Sequence, residues 1–139
     1  HLNQPEQGEL ARGLNRDFDG MARHGHFATA ILATFLPTSR HLILLNAGHP
    51  RPFCDRGTGD WQPLDPDHVP PVAGAQNLPL GIVEETDYQP FALRLAPGER
   101  VFFYTDGVTE ARDGNGEMLG EQALQSALQG LGRVPSARA

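Results

Sequence analysis

The chain has 139 residues and a hydrophobic share of 39%, enough for one modest domain with a core and too apolar for a disordered segment. Seventeen acidic residues against eleven basic ones leave a formal charge of −6, which argues against nucleic acid or an anionic membrane as the main partner. A single cysteine, Cys54, excludes an internal disulfide framework and fits a reducing, cytoplasmic location.

All the basic residues are arginine, and they show no clustering, so a bias in base composition explains them better than phosphate reading does. No apolar stretch approaches a membrane span, and no signal-peptide pattern is present. The chain begins at His1 rather than Met, so its natural N-terminus is expected upstream.

Residues 5 to 23 predict a helix. Leu10, Leu14, Phe18 and Met21 form an apolar stripe, and Asn3 ahead of Pro5 and Glu6 is a start signal. Phe27 to Leu36 is a long apolar run that predicts a strand buried on both faces. A turn at Pro37 to Arg40 then leads into a second strand, His41 to Leu45, which makes an antiparallel hairpin. Asn46-Ala47-Gly48-His49-Pro50 closes that strand.

Pro52 to Asp55 and Trp61 to Leu64 flank a glycine-bearing turn, a second expected hairpin. Asp65 to Leu80 carries several prolines and glycines and predicts a loop. Tyr88 to Leu95 alternates apolar and polar residues, as a strand with one solvated face does. Arg100 to Thr105 predicts a further buried strand, with Asp106 at its tip. Asp113 to Gly116 is a turn, and Leu119 to Leu131 predicts a helix with Leu124, Ala127, Leu128 and Leu131 on one side. Residues 133 to 139 are expected to fray. The sum is an α+β fold, a layered sandwich of antiparallel strands and flanking helices.

The candidate chemistry centres on Thr105-Asp106-Gly107. A carboxylate on a strand end is a stiff mount for a divalent cation, and Gly107 would let the chain turn sharply beside it. A strand-end Asp before Gly is also a common turn former. Glu110, four residues on, could share the face of Asp106 and hold a metal-bound water, or could be a carboxylate at the positive end of a helix dipole. His49 could bind a phosphate oxygen or move a proton, or could cap a turn by hydrogen bonding.

Other chemistries fall away. His24 and His26 lack a third ligand at suitable spacing. Cys54 as a phosphatase nucleophile would want an Arg six positions on, where Asp60 stands, so it reads as a small buried residue. The Asp113 segment has Met118 and Leu124 where a calcium loop needs Gly and Glu. Trp61 reads as hairpin packing. No glycine-rich loop ends in Lys-Ser or Lys-Thr.

Three segments in order resemble one family: Phe27-Ala28-Thr29-Ala30 leading to Asn46-Ala47-Gly48-His49-Pro50, then Leu78-Pro79-Leu80-Gly81, then Pro97-Gly98-Glu99 leading to Tyr104-Thr105-Asp106-Gly107-Val108-Thr109-Glu110-Ala111. The set resembles the bacterial SpoIIE-type serine phosphatases, of the metal-dependent protein phosphatase class related to the eukaryotic type 2C enzymes. The resemblance implies an α-β-β-α sandwich of two antiparallel sheets with helices outside. It implies hydrolysis of phosphoserine or phosphothreonine on small regulatory proteins in partner-switching control of sigma factors. Two manganese or magnesium ions would hold the attacking water, and no phosphoenzyme would form.

By the same resemblance Asp106 matches a metal-binding Asp, with Gly107 beside it. Glu110, Asn46 and His49 border the metal site, and Gly81 is structural. The family's early Gly-Asp and Asp-x-x-Gly-His-Gly motifs and its late Gly-Asp-Asp segment do not occur in the chain. Two expectations follow: a central piece of a longer phosphatase, inactive alone and prone to pair with a second copy, or a catalytically dead phosphatase-like module that docks a regulatory partner.

Overall fold

The computed structural model describes residues 3–22, 24–64, 77–83 and 86–131. In chain order the elements are α1 (Gln4–Ala22), β1 (Ala30–Leu36), β2 (His41–Ala47), β3 (Phe53–Asp55), β4 (Trp61–Pro63), β5 (Phe91–Arg94), β6 (Arg100–Phe102), α2 (Asp106–Thr109) and α3 (Gly120–Gly130). They form two antiparallel three-stranded sheets, ordered β1-β2-β5 and β4-β3-β6. The expected α+β content, two antiparallel sheets with helices, is present. The chain divides into two compact units, one of His1–His49 with Pro66–Leu95, the other of Pro50–Asp65 with Ala96–Ala139. The expected fraying of residues 133–139 and most of the predicted loop after Asp65 lie outside the described residues.

In the first unit, Asn3 and Glu6 cap α1 reciprocally. The Glu6 N–H donates to Asn3 Oδ1 (3.0 Å) and the Asn3 N–H to Glu6 Oε2 (2.8 Å). The buried face runs through Gln7, Ala11 and Asn15, with Leu14 and Phe18 packed beside them. Leu10, expected in the apolar stripe, is 41% exposed. The helix is rotated because two amides have partners inside. Gln7 Nε2 donates to the Ile43 carbonyl (3.2 Å) and to Thr34 Oγ1 (2.9 Å), and Asn15 bonds three groups described below. These contacts offset the cost of burying polar groups.

β1 and β2 pair from Ala30↔Ala47 to Leu36↔His41, and β2 pairs β5 from His41↔Arg94 to Leu44↔Phe91. The strand predicted from residue 27 starts at Ala30 and is not buried on both faces: Ala33 is exposed and Phe35 is 45% exposed. The buried strand is β2, where Leu42 to Leu45 are all buried. Composition reports how apolar a run is. Position in the sheet decides which run is enclosed, and β2 holds the centre. β5 shows the predicted alternation, with Phe91 and Leu93 turned inward relative to Ala92 and Arg94.

In the second unit β3 is central, paired with β4 (Phe53↔Pro63) and β6 (Phe53↔Phe102). The loop between β3 and β4 wraps one carboxylate. Asp55 Oδ1 accepts the N–H groups of Gly57, Thr58 and Gly59 at 2.8–3.0 Å, while Oδ2 accepts Arg100 Nη2 (2.7 Å) and Nε (3.1 Å). Burial alone would raise the Asp55 pKa, but the Arg100 hydrogen bonds, the loop N–H groups and the Arg100 charge outweigh it, so the carboxyl sits below its usual range. The Arg100 guanidinium also lies 5.0 Å from the Trp61 ring centre.

α3 lays Leu124 and Leu128 on Phe53, Trp61 and Tyr104. Its predicted partners Ala127 and Leu131 are exposed, so its buried face is narrower than the spacing suggested. The Asp113 segment is a turn, with Asp113 Oδ1 accepting the N–H groups of Asn115 and Glu117. Cys54 is buried, and burial pushes its thiol pKa up, which suits packing rather than nucleophilic chemistry.

Candidate functional site

β6 stops at Phe102, three residues short of the predicted strand end. Asp106 therefore does not sit on a strand tip. It is the first residue of α2, a single turn whose N-cap is Thr105 (φ −99°, ψ 160°). The mount is Tyr104, which is buried and stacks on Phe53 (5.7 Å between ring centres) and Phe102 (6.1 Å). These contacts fix the backbone two residues ahead of the carboxylate.

Within α2 the Asp106 carbonyl accepts the Glu110 N–H (2.8 Å) and the Thr109 hydroxyl (3.0 Å). That bond puts Glu110 one turn beyond Asp106, so the two carboxylates share a side of the turn. Glu110 is the C-cap, not a first-turn residue, so the dipole reading of it does not hold. Asp106, Gly107 and Glu110 are all exposed. Gly107 has no positive φ, and a Cβ there would lie 3.5 Å from Thr105 Oγ1, an ordinary contact. The sharp turn expected to exploit Gly107 is instead a helical turn, in which a side chain at 107 would have room.

Asn46 and His49 lie in the other unit. Asn46 spends its amide on one turn, donating from Nδ2 to the His49 carbonyl (2.8 Å) and accepting the His49 N–H at Oδ1 (2.7 Å). His49 Nδ1 lies 3.0 Å from Thr29 Oγ1. Gly48 has φ +67°, and a Cβ on it would collide with the Pro79 ring. Its N–H donates to the Asn77 carbonyl, and Ala28 bridges Leu80. Gly81 has φ +84°, and a Cβ there would fall 2.9 Å from the Phe18 carbonyl. The segments around Ala28, Gly48 and Leu80, far apart in sequence, thus close on one another.

Residues 2–138 match the family model described as stage II sporulation protein E, SpoIIE. The chain belongs to the SpoIIE family. It is 27% identical over 117 residues to phosphoserine phosphatase RsbU of Bacillus subtilis, a match covering 81% of this chain and 32% of that protein. It is 28% identical over 102 residues to phosphoserine phosphatase RsbP of the same organism, covering 73% and 23%. The structure of the RsbU and RsbW domains of Rv1364c from Mycobacterium tuberculosis superposes with a TM-score of 0.53 at 22% identity, over 78% of this chain and 27% of that one, a likeness of fold. The chain spans about a third or less of the length of these relatives.

A site for two divalent ions needs a cluster of hard oxygen donors. Among the described residues no three His, Cys, Asp or Glu side chains gather to hold an ion. His24 and His26 are exposed in the turn after α1. Asp106 and Glu110 offer two carboxylates on one turn, short of a two-ion site, so the described residues do not make that site by themselves.

Sequence reasoning missed the buried amides of the SpoIIE-family helix α1. Asn15 Oδ1 accepts the Gly81 N–H (2.8 Å) and the Tyr88 hydroxyl (3.1 Å), and Nδ2 donates to the Val83 carbonyl (2.9 Å). The available signal was Gln7, Ala11 and Asn15 at i, i+4, i+8, a helical period that an apolar-only count passes over.

Proposed function

We propose that this chain is the central part of a serine phosphatase domain acting on phosphoserine or phosphothreonine of a small regulatory protein in partner-switching signalling, in the cytoplasm. The observation that carries the reading is the SpoIIE family match over nearly the whole chain, with relatives named as phosphoserine phosphatases. Asp106 supplies one carboxylate toward a manganese or magnesium site, with the Gly107 carbonyl beside it and Glu110 on the same side of the turn. Donors outside the described residues complete the site.

The test is phosphate release from a phosphoserine peptide, with manganese, by the full-length protein that carries these residues. Activity there, and none from the 139-residue chain alone, supports the reading. A full-length protein that binds the regulatory partner without hydrolysing its phosphate supports the docking-module alternative.

A further inference from the structure

The stretch that carries Asp106 is tied to the second unit by very little. From Phe103 to Leu119 every residue is exposed except Tyr104, which is buried, and Thr109, which is half-buried. Among the described residues, the hydrogen bonds of 105–119 close within that stretch. The Val108 N–H donates to the Thr105 carbonyl (3.0 Å), the Glu110 N–H to the Asp106 carbonyl (2.8 Å) and the Leu119 N–H to the Ala111 carbonyl (2.8 Å). α2 buries no side chain of its own. It lies beside α3, whose Leu124 and Leu128 rest on the same cluster that holds Tyr104.

The line of support runs on past the Tyr104 ring. Tyr104 stacks on both members of the last β3·β6 pair, Phe53 (5.7 Å between ring centres, planes 23° apart) and Phe102 (6.1 Å, 18°). Phe102 is two residues before Tyr104 on the same strand, so it moves with the chain it would steady. Phe53 does not. It is fully buried on the central strand β3, paired with Phe102 on one side and Pro63 on the other. Only extended Thr105 (φ −99°, ψ 160°) separates the ring of Tyr104 from Asp106, so the set of the ring is passed on to the carboxylate. We propose that Phe53 is a positioning residue for the proposed reaction, acting on Asp106 through the Tyr104 ring. The assignment rests on the phosphatase reading and deepens it by naming what aims the Asp106 carboxylate. Phe53 lies outside every motif that marks the family, 53 residues before Asp106 in the chain. Rigid support from a neighbouring element is what a site carried on an exposed turn requires.

The experiment compares the full-length protein with Phe53→Leu, Tyr104→Leu, the double variant and Tyr104→Phe on a phosphoserine peptide, and follows amide exchange at Glu110 by NMR. Each Leu variant is expected to lower kcat about tenfold or more, leave KM within about threefold, and speed Glu110 exchange about threefold or more. The double variant should fall no further than the worse single one, since both changes remove one stack. Tyr104→Phe keeps the ring and should keep the wild-type kcat and exchange. Leu128→Ala is the control: it thins the same cluster and lowers the thermal midpoint, and should leave kcat within about threefold. Unchanged kcat and exchange in folded Leu variants, with the parent active, overturn the Phe53 assignment alone. So does a loss confined to KM, or a Leu128→Ala loss of kcat equal to that of the Leu variants. Failure of both single Leu variants to fold assigns the rings to the core alone and also overturns it. A parent without phosphatase activity overturns the functional reading and this assignment with it.

Discussion

Gly48 and Gly107 sit in separate motifs and answer to different physics. At Gly48 a side chain meets a positive φ and the Pro79 ring together. Gly48→Ala is expected to destabilise the fold by about 1–3 kcal/mol, read as a fall in the denaturant midpoint at constant slope. Gly107→Ala has room and helical backbone, so it should leave the midpoint equal or slightly raised, by up to about 1 kcal/mol. Asp55 is the other residue whose environment makes a prediction. Its pKa is lowered on folding, so its stabilisation is present above the unfolded value of about 3.9 and disappears as pH falls through the lower folded value. Asp55→Asn should cost about 2–4 kcal/mol at pH 7, because Arg100 loses its partner while keeping some exposure. The gap between wild type and variant should close in urea titrations taken progressively below pH 4. A gap that stays constant with pH would show that the ion pair does not stabilise the fold.

At the scale of elements, α1 is held as much by amides as by apolar packing. Asn15→Ala leaves the Gly81 N–H and Tyr88 hydroxyl without their acceptor in a buried setting, and should cost about 2–4 kcal/mol in chemical denaturation. Asn15→Asp keeps the acceptor for Gly81 and Tyr88 but loses the donor to Val83, and should retain part of that stability. Equal losses in the two variants would contradict a stabilising role for the Oδ1 acceptor, since Asp keeps both that acceptor and the volume of Asn. The same helix shows what the sequence could convey. Its bounds were legible from the Asn3–Glu6 box and its length from periodicity, yet its orientation was not, because the partners of Gln7 and Asn15 lie 27 to 73 residues away. Both hairpins were legible, since turn residues and apolar runs are local. The shortness of β6 was not: Val101 to Tyr104 is apolar throughout, but Tyr104 packs as a ring on Phe53 instead of extending the ladder. Asp106 was therefore legible as a candidate, and its mount was misread.

For the molecule as a whole, each of the two units has its own cluster of buried side chains, one around Leu45 and Tyr88, the other around Phe53 and Trp61. The ordered motifs carry the family, and they were readable because each needs its own residues: a positive φ at Gly48, a close backbone approach at Gly81, an open carboxylate at Asp106. A donor set for an ion was not readable, because ion ligands are gathered by the fold from distant positions, and among the described residues no three His, Cys, Asp or Glu side chains gather. The most direct measurement is kcat/KM of the full-length protein on a phosphoserine peptide with manganese, for wild type and Asp106→Asn, with circular dichroism on both. A loss of about a hundredfold or more with an unchanged spectrum and melting point is the predicted result. An Asp106→Asn variant within about threefold of wild type would contradict the account, because the exposed carboxylate of α2 would then have no part in the chemistry.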